Sequence, residues 1–417
     1  MLSSSLPAIR LCILGARSVT SSSRCCAAAL SSFGRSSLAG TFPTSSPSLM
    51  QSTRTAANVA TVESFSKEQL HPRSLKSSEP PTVPTIDFGS FNNVTGEGAK
   101  HVADQILKAA LDTGFFYLSN HGVPQKDIDD MFELTKRFFA KGSAHNAKYP
   151  YNPEINSGYL GIATERLNPN SDEQEYKEAV NIPKLNGRTA RKEDFAPELA
   201  NNWELLTRFH RSAHDCLLRV LRAFGMGLQI PESAGGLDYF TSCHRYEESS
   251  ADILRILWYP AIPADRSTKW TRAAAHSDYG SLTLLFQDST GGLEALLRSG
   301  NHEPKWIPLP PRPGTIVVNT GDLMEFWTEG LVKSTAHRVV FPDGPAAHQD
   351  RYTIAYFGQP EDSTPLTTIP SEIVKSKVLQ DAKTGNGEAL FRGPTSMSQE
   401  RAMTALEHLR MRLSEIH

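Results

Sequence analysis

Acidic residues are absent from the first 62 positions, cysteines are few, and no apolar run is long enough to cross a bilayer. Each absence closes off a class of protein. The five cysteines are Cys12, Cys25, Cys26, Cys216 and Cys243, three of them near the amino terminus. They are spaced neither as a disulfide framework nor as a zinc site, which fits a reducing compartment. Without about 18 consecutive apolar residues, no membrane-spanning helix is read. A formal net charge of −2 over 417 residues supplies no basic field for nucleic acid or an anionic membrane, so neither is expected as a partner.

The acid-free leader is rich in Ser and Ala and carries Arg10, Arg17, Arg24, Arg35 and Arg54. Scattered basic residues without acidic ones suit import across an energised membrane, so residues 1–60 are expected to be a mitochondrial transit peptide. The alternative is a disordered leader on a cytoplasmic protein, bypassed by starting at Met50. The apolar stretch Leu11–Leu14 is too short for a secretory signal.

After a proline-containing polar linker, residues 61–250 are read as a mixed, largely helical segment. A short strand at Thr85–Phe88, a helix with Val102, Ile106, Leu107 and Ala110 on one face, and a strand at Phe115–Leu118 make a βαβ-like opening without a glycine-rich phosphate loop. A second helix is predicted over Met131–Phe139. The longest helical pattern runs from Trp203 to Leu228, where Gly225, Gly227 and Pro231 end it. His121 sits in a turn between Asn120 and Gly122. His210 and His214, four apart on the long helix, are read as structural because no third ligand accompanies them.

Residues 251–360 change character to short apolar runs separated by Gly and Pro: Ile253–Tyr259, Leu282–Phe286, Leu293–Leu296, Trp306–Leu309, Gly314–Asn319 and Arg351–Phe357. That spacing predicts an antiparallel sandwich or jelly roll. Within it lies His276-Ser277-Asp278. If the following run Leu282–Leu285 marks a strand edge, the imidazole and the carboxylate project from one face. His337, in Ser334-Thr335-Ala336-His337-Arg338-Val339, is the candidate third ligand; two His and one carboxylate with open positions suit non-haem Fe(II). Further on, Arg351 and Thr353 share one face of a strand, where a guanidinium fork and a hydroxyl can grip a carboxylate.

These residues together resemble the 2-oxoglutarate and Fe(II)-dependent dioxygenases of the isopenicillin N synthase-like group. The resemblance rests on His276-x-Asp278, Val318-Asn319-Thr320-Gly321-Asp322, Ser334-Thr335-x-His337-Arg338-Val339 and Arg351-x-Thr353. Upstream it takes in Tyr259-Pro260, Val83-Pro84-Thr85-Ile86-Asp87-Phe88 and Gly114-Phe115-Phe116-Tyr117-Leu118-x-x-His121-Gly122-Val123-Pro124. It thus covers residues 83 to 415. The family usually has Ser at Thr353, and its plant members Asn at Leu257.

The resemblance implies an α+β protein with a mostly β core: a double-stranded β-helix with flanking helices, residues 251–360 forming the core and 361–417 a helical extension. It implies Fe(II) on His276, Asp278 and His337, and 2-oxoglutarate on Arg351, Thr353 and Tyr259. O2 would be the second co-substrate, and succinate and CO2 would be released as a small organic substrate is oxidised, commonly by hydroxylation. Tyr159, Phe286 and Leu293 are the candidate substrate contacts. Two alternatives stay open: an oxidase of the same fold that dispenses with 2-oxoglutarate, and a non-catalytic binding protein. The terminal helix, Gln399–Ile416, is expected to pack on the core or on a neighbouring subunit, and the oligomeric state is open.

Overall fold

A computed structural model describes residues 82–92, 96–168, 173–186, 189–261, 269–298, 303–384 and 402–414. The expected transit peptide, the linker and the start of the terminal helix lie outside these residues. The opening is the expected βαβ unit. Strand β1 (Thr85–Asp87) and strand β2 (Phe115–Ser119) pair in parallel across helix α1 (Glu97–Asp112). That helix buries Val102, Ala103, Ile106, Leu107 and Ala110.

Helix α2 spans Gln125–Phe139, starting six residues before the predicted Met131. Its first turns are polar, so hydrophobic periodicity misses them. They are helical because Pro124 precedes them with a favourable backbone and Gln125–Asp129 and Lys126–Asp130 pair four residues apart. The short α3 (Ser143–Asn146), β3 (Gly158–Leu160), β4 (Gln174–Glu175), β5 (Glu178–Pro183) and α4 (Pro197–Ala200) follow. Helix α5 then runs Trp203–Gly227, ending one residue before the expected Leu228.

The second half is strand-rich. It holds β6 (Ile253–Tyr259), β7 (Trp270–Thr271), β8 (Ala273–His276), β9 (Leu282–Gln287), β10 (Leu293–Leu297), β11 (Lys305–Pro308), β12 (Thr315–Thr320), β13 (His337–Val339) and β14 (Arg351–Gly358). Helices α6 (Asp322–Trp327), α7 (Glu372–Thr384) and α8 (Ala405–Ser414) complete it. Eight strands form one sheet in the order β1-β2-β12-β9-β14-β6-β5-β3, antiparallel except for β1–β2. A second sheet has the order β11-β10-β13-β8.

Because side chains alternate across a strand, the large sheet has two buried faces. One carries Leu254, Ile256, Leu284, Phe286, Val318 and Ile354 against α1, α2 and α5. The other carries Tyr117, Leu257, Val317 and Ala355 against Ala273, Leu293, Ala295 and Val339 of the small sheet. The functional residues lie within this second layer.

His276 and Asp278 do not share a strand with Leu282, as the sequence had suggested. His276 ends β8 in the small sheet, and β9 belongs to the large one, so Ser277–Ser281 crosses between sheets. The crossing is tight. A Cβ on Gly280 would lie 2.4 Å from Gly358 O, and one on Gly321 would lie 2.3 Å from Gly280 O.

A buried ion pair pins the base of the large sheet. Lys184 Nζ lies 2.9 Å from Asp252 Oδ2, with side chains 2% and 0% exposed. The ammonium also donates to Arg245 O and Glu248 O, while Ser250 Oγ and Gln359 N donate to the carboxylate. Burial works against ionising Asp252, but Lys184, His214 and these hydrogen bonds outweigh it and hold its pKa below the ordinary value. A depressed carboxylate pKa stabilises the fold fully above the unfolded-state value, about pH 4, and this contribution fades as pH falls through the folded-state value. Asp252→Ala strands a buried ammonium and is expected to cost about 3–5 kcal/mol at pH 7, read from the urea midpoint. Below about pH 4 the loss of stability with acid should be shallower in the variant than in the parent; parallel acid profiles would contradict this role.

Candidate metal centre and co-substrate pocket

Register brings the two imidazoles together. His276, the last residue of β8, is the cross-strand partner of His337, the first residue of β13. Their ring centroids are 4.4 Å apart, and the edge of Phe115 packs on His337. Asp278 enters from the crossing segment, with Oδ1 3.9 Å from His276 Nε2 and 3.7 Å from His337 Nε2. The three donor atoms lie within 4.8 Å of one another, and among the described residues this is the one His/Cys/Asp/Glu cluster of metal-holding geometry.

Each donor is aimed by a neighbour. His276 Nδ1 lies 2.8 Å from Ala274 O and His337 Nδ1 lies 3.2 Å from Thr335 O. A proton on each Nδ1 donates to the backbone carbonyl and leaves the Nε2 lone pair facing the centre. Burial, with His337 beside it, holds the His276 pKa below the ordinary imidazole value, so the ring is neutral and able to ligate at neutral pH. Asp278 Oδ2 accepts from Thr283 Oγ1 and Asn319 Nδ2, both at 2.6 Å, which leaves Oδ1 for the centre. Burial opposes the ionised form of Asp278; the two imidazoles and these hydrogen bonds lower its pKa. Two nitrogens and one carboxylate oxygen, with no thiolate, suit Fe(II).

The same cavity contains Arg351, Thr353 and Tyr259. Arg351 and Tyr259 are cross-strand partners on β14 and β6, and Thr353 is two residues along β14 on the same face. Arg351 is 1% exposed. Its Nη2 donates to Gln287 Oε1 at 2.9 Å and its guanidinium lies 4.9 Å from the Tyr259 ring centroid, but Nε and Nη1 are buried without hydrogen-bond partners. Thr353 Oγ1 is likewise buried and unpartnered. Burial lowers the Arg351 pKa. A buried cation with open donors beside an open hydroxyl is costly unless an anion completes it. The carboxylate of a keto acid would supply the acceptors these donors lack.

Leu293 lines the cavity, whereas two other candidate substrate contacts face elsewhere. Phe286 points into the helical layer, 5.1 Å from Phe209 and 6.3 Å from His121 between ring centroids. Alternation along β9 accounts for it: Thr283 and Leu285 face the cavity, so Phe286 faces away. Tyr159 packs in the helical core; Tyr151 and Asn156 from the preceding turn reach the cavity in its place. His121 lies in its turn, with Asn120 and Gly122 at positive φ. His210 and His214 pack edge-on to Tyr246 and Tyr356, away from any metal cluster among the described residues.

Sequence reasoning assigned no role to Thr283, Asn319 or Gln287, although period-two alternation from Leu285 predicts the faces of Thr283 and Gln287. It also missed three buried charges, Glu165, Glu175 and Lys177, and the half-buried Arg255 that pairs with Glu165, whose separate positions carry no motif. Helix α8 contributes Leu409 and Leu413 to the cavity wall. Its Arg412 Nη1 donates to Asp322 Oδ2 at 2.6 Å and its guanidinium stacks 4.4 Å from the Tyr279 ring, so α8 packs on the core at the metal-ligand loop.

This combination defines a non-haem Fe(II) oxygenase site, and comparison with known proteins agrees. Residues 83–203 match the family described as non-haem dioxygenase in morphine synthesis, N-terminal, and residues 245–360 match the 2OG-Fe(II) oxygenase superfamily. A UPF0676 protein of Schizosaccharomyces pombe is 35% identical over 299 residues, covering 70% of this chain and 85% of that protein. The 2-oxoglutarate-Fe(II) type oxidoreductase ppzD of Metarhizium majus is 30% identical over 309 residues, 67% of this chain and 85% of that one. The crystal structure of a full-length Neurospora crassa protein in complex with alpha-KG and thymine superposes with a TM-score of 0.64 at 26% identity, covering 80% of this chain and 96% of that chain. The chain belongs to the 2OG-Fe(II) oxygenase superfamily and is a 2-oxoglutarate- and Fe(II)-dependent dioxygenase.

Asn319 tests how the centre is held. Asn319→Ala removes one of the two hydrogen bonds to Asp278 Oδ2 and is expected to weaken Fe(II) binding by about 10- to 100-fold, measured by titrating metal-free protein. Unchanged affinity would show that Thr283 alone orients the carboxylate.

Proposed function

We propose that this protein hydroxylates a small organic molecule, with Fe(II) held by His276, Asp278 and His337 and the distal carboxylate of 2-oxoglutarate held by Arg351, Thr353 and Tyr259. We further propose that the two facing sheets form a double-stranded β-helix. The observation that carries the assignment is the buried, incompletely partnered guanidinium and hydroxyl of Arg351 and Thr353, in one cavity with the His-Asp-His cluster. It favours 2-oxoglutarate use over a same-fold oxidase without a keto acid, in which those donors would have no partner.

The chain's own groups divide the work. Arg351 neutralises and orients the co-substrate carboxylate, Thr353 donates a second hydrogen bond, and the Tyr259 ring limits where the acid can lie. Gln287 holds the guanidinium in place. Thr283 and Asn319 keep one oxygen of Asp278 occupied, and the Ala274 and Thr335 carbonyls hold the Nδ1 protons. Leu257, Ala273, Leu285, Leu293, Val339 and Leu409 keep the cavity wall apolar and exclude water. The bound iron, with 2-oxoglutarate and O2, supplies the oxidation that ends in succinate and CO2.

That the similar Neurospora crassa protein was crystallised with thymine and with 5-formyluracil supports a small substrate. Asp278→Ala and His337→Ala are each expected to abolish O2-dependent succinate release. Arg351→Ala should raise the 2-oxoglutarate concentration needed for half-maximal rate by about 10- to 150-fold, the equivalent of about 1.5–3 kcal/mol from a charged hydrogen bond. An unchanged requirement would remove Arg351 from the clamp. Hydroxylation itself is read as a product heavier by one oxygen.

The acid-free, Arg-containing leader supports a mitochondrial address. Residues 1–62 fused to a fluorescent protein are expected to direct it to mitochondria; a diffuse cytoplasmic signal would favour initiation at Met50.

A further inference from the structure

The cavity wall carries a second polar station that neither the metal cluster nor the Arg351 clamp uses. Asn181 on β5 and Arg255 on β6 are direct cross-strand partners, so their side chains leave the sheet on one face, and both line the cavity. Asn181 Nδ2 donates to Asn156 Oδ1 at 2.7 Å, and the Tyr151 hydroxyl donates to the same oxygen at 3.0 Å. This network sets which way the Asn181 amide points. Its Oδ1 is buried with no partner. Opposite it, Nη2 of Arg255 is taken by the Glu165 carboxylate, but its Nε is buried with no partner. Leaving such groups unpaired costs about 1–3 kcal/mol each.

The acceptor and the donor stand on neighbouring strands of one sheet. Arg255 precedes Tyr259 by four residues on β6, about 13 Å along the strand. A five-carbon dicarboxylic acid seated at Arg351 cannot also satisfy this station, which therefore serves a second molecule. Charge is balanced around it: Arg255 and Lys177 face Glu165 and Glu175, with Lys177 Nζ 3.4 Å from Glu165 Oε2 and in contact with Glu175. A charged substrate group would upset that balance; a neutral one would not.

We propose that Asn181 and Arg255 determine specificity and that the substrate presents a neutral cis-amide edge, as in a lactam, imide or cyclic ureide. Asn181 Oδ1 accepts from its N–H, and Arg255 Nε–H donates to the adjacent carbonyl oxygen. The assignment rests on the oxygenase reading only in treating the cavity as a site for two molecules.

The test compares 2-piperidone with N-methyl-2-piperidone, which keeps the carbonyl and loses the N–H, and glutarimide with cyclohexanone. Binding to the full-length, iron-loaded protein is read anaerobically from broadening of probe proton signals, with and without 2-oxoglutarate. The amide probe of each pair is expected to bind about tenfold more tightly, the loss of one hydrogen bond to a buried acceptor. Asn181→Leu should erase the N-methyl penalty, and Asn181→Asp, which keeps an acceptor, should retain it. Equal affinities within both pairs, or no binding of any probe, overturns the proposal. Because probe binding needs no turnover, it is separable from the oxygenase reading, which falls instead if 2-oxoglutarate neither binds nor yields succinate.

Discussion

The structure depends on one carboxylate that belongs to neither sheet. Asp278 lies in the segment crossing from β8 to β9; one of its oxygens is tied to Thr283 and Asn319 of the large sheet, and the other faces two histidines of the small sheet. Any slip of one sheet against the other would separate these groups. The close approach of Gly280 to Gly358, and of Gly321 to Gly280, shows how little room the crossing has. Packing between the sheets and geometry at the metal centre are thus one constraint, and the tight interior resists its deformation.

Charge distribution follows from burial. The cavity is roofed and floored by apolar side chains, so each ionised group inside it must be compensated. Asp278 has its imidazoles and two hydrogen bonds, and Glu165, Glu175, Lys177 and Arg255 offset one another. Arg351 keeps two nitrogens unpartnered, and the third donates to the uncharged Gln287. Arg351 lines the same cavity as the His-Asp-His cluster, and a bound anion would complete its open donors.

Much of the architecture was legible because local patterns and tertiary demands agree. Ile253–Tyr259 read as a buried strand stopped by Pro260 and is β6 to the residue, and the Trp203–Leu228 pattern is α5 to within one residue. The shared face of Arg351 and Thr353 was legible because they sit two apart on one strand. Polar helix starts escaped: Gln125–Asp130 has the pairing of a helix without its apolar rhythm. So did the crossing at Ser277–Ser281, because a chain that changes sheets over a few residues looks locally like a strand continuing. Phe286 was placed in the cavity as apolar lining, although alternation with Leu285 puts it on the opposite face.

By itself the sequence determined the residue types of the His-Asp-His cluster, the shared face of Arg351 and Thr353, and the succession of helical and strand-rich halves, since each is written in short local patterns. Only the tertiary structure decided that His337 stands opposite His276, which face of β9 lines the cavity, and that Asn181 meets Arg255. Those are relations of register between strands remote in sequence, set by packing and hydrogen bonding across the sheets, and no local pattern encodes them.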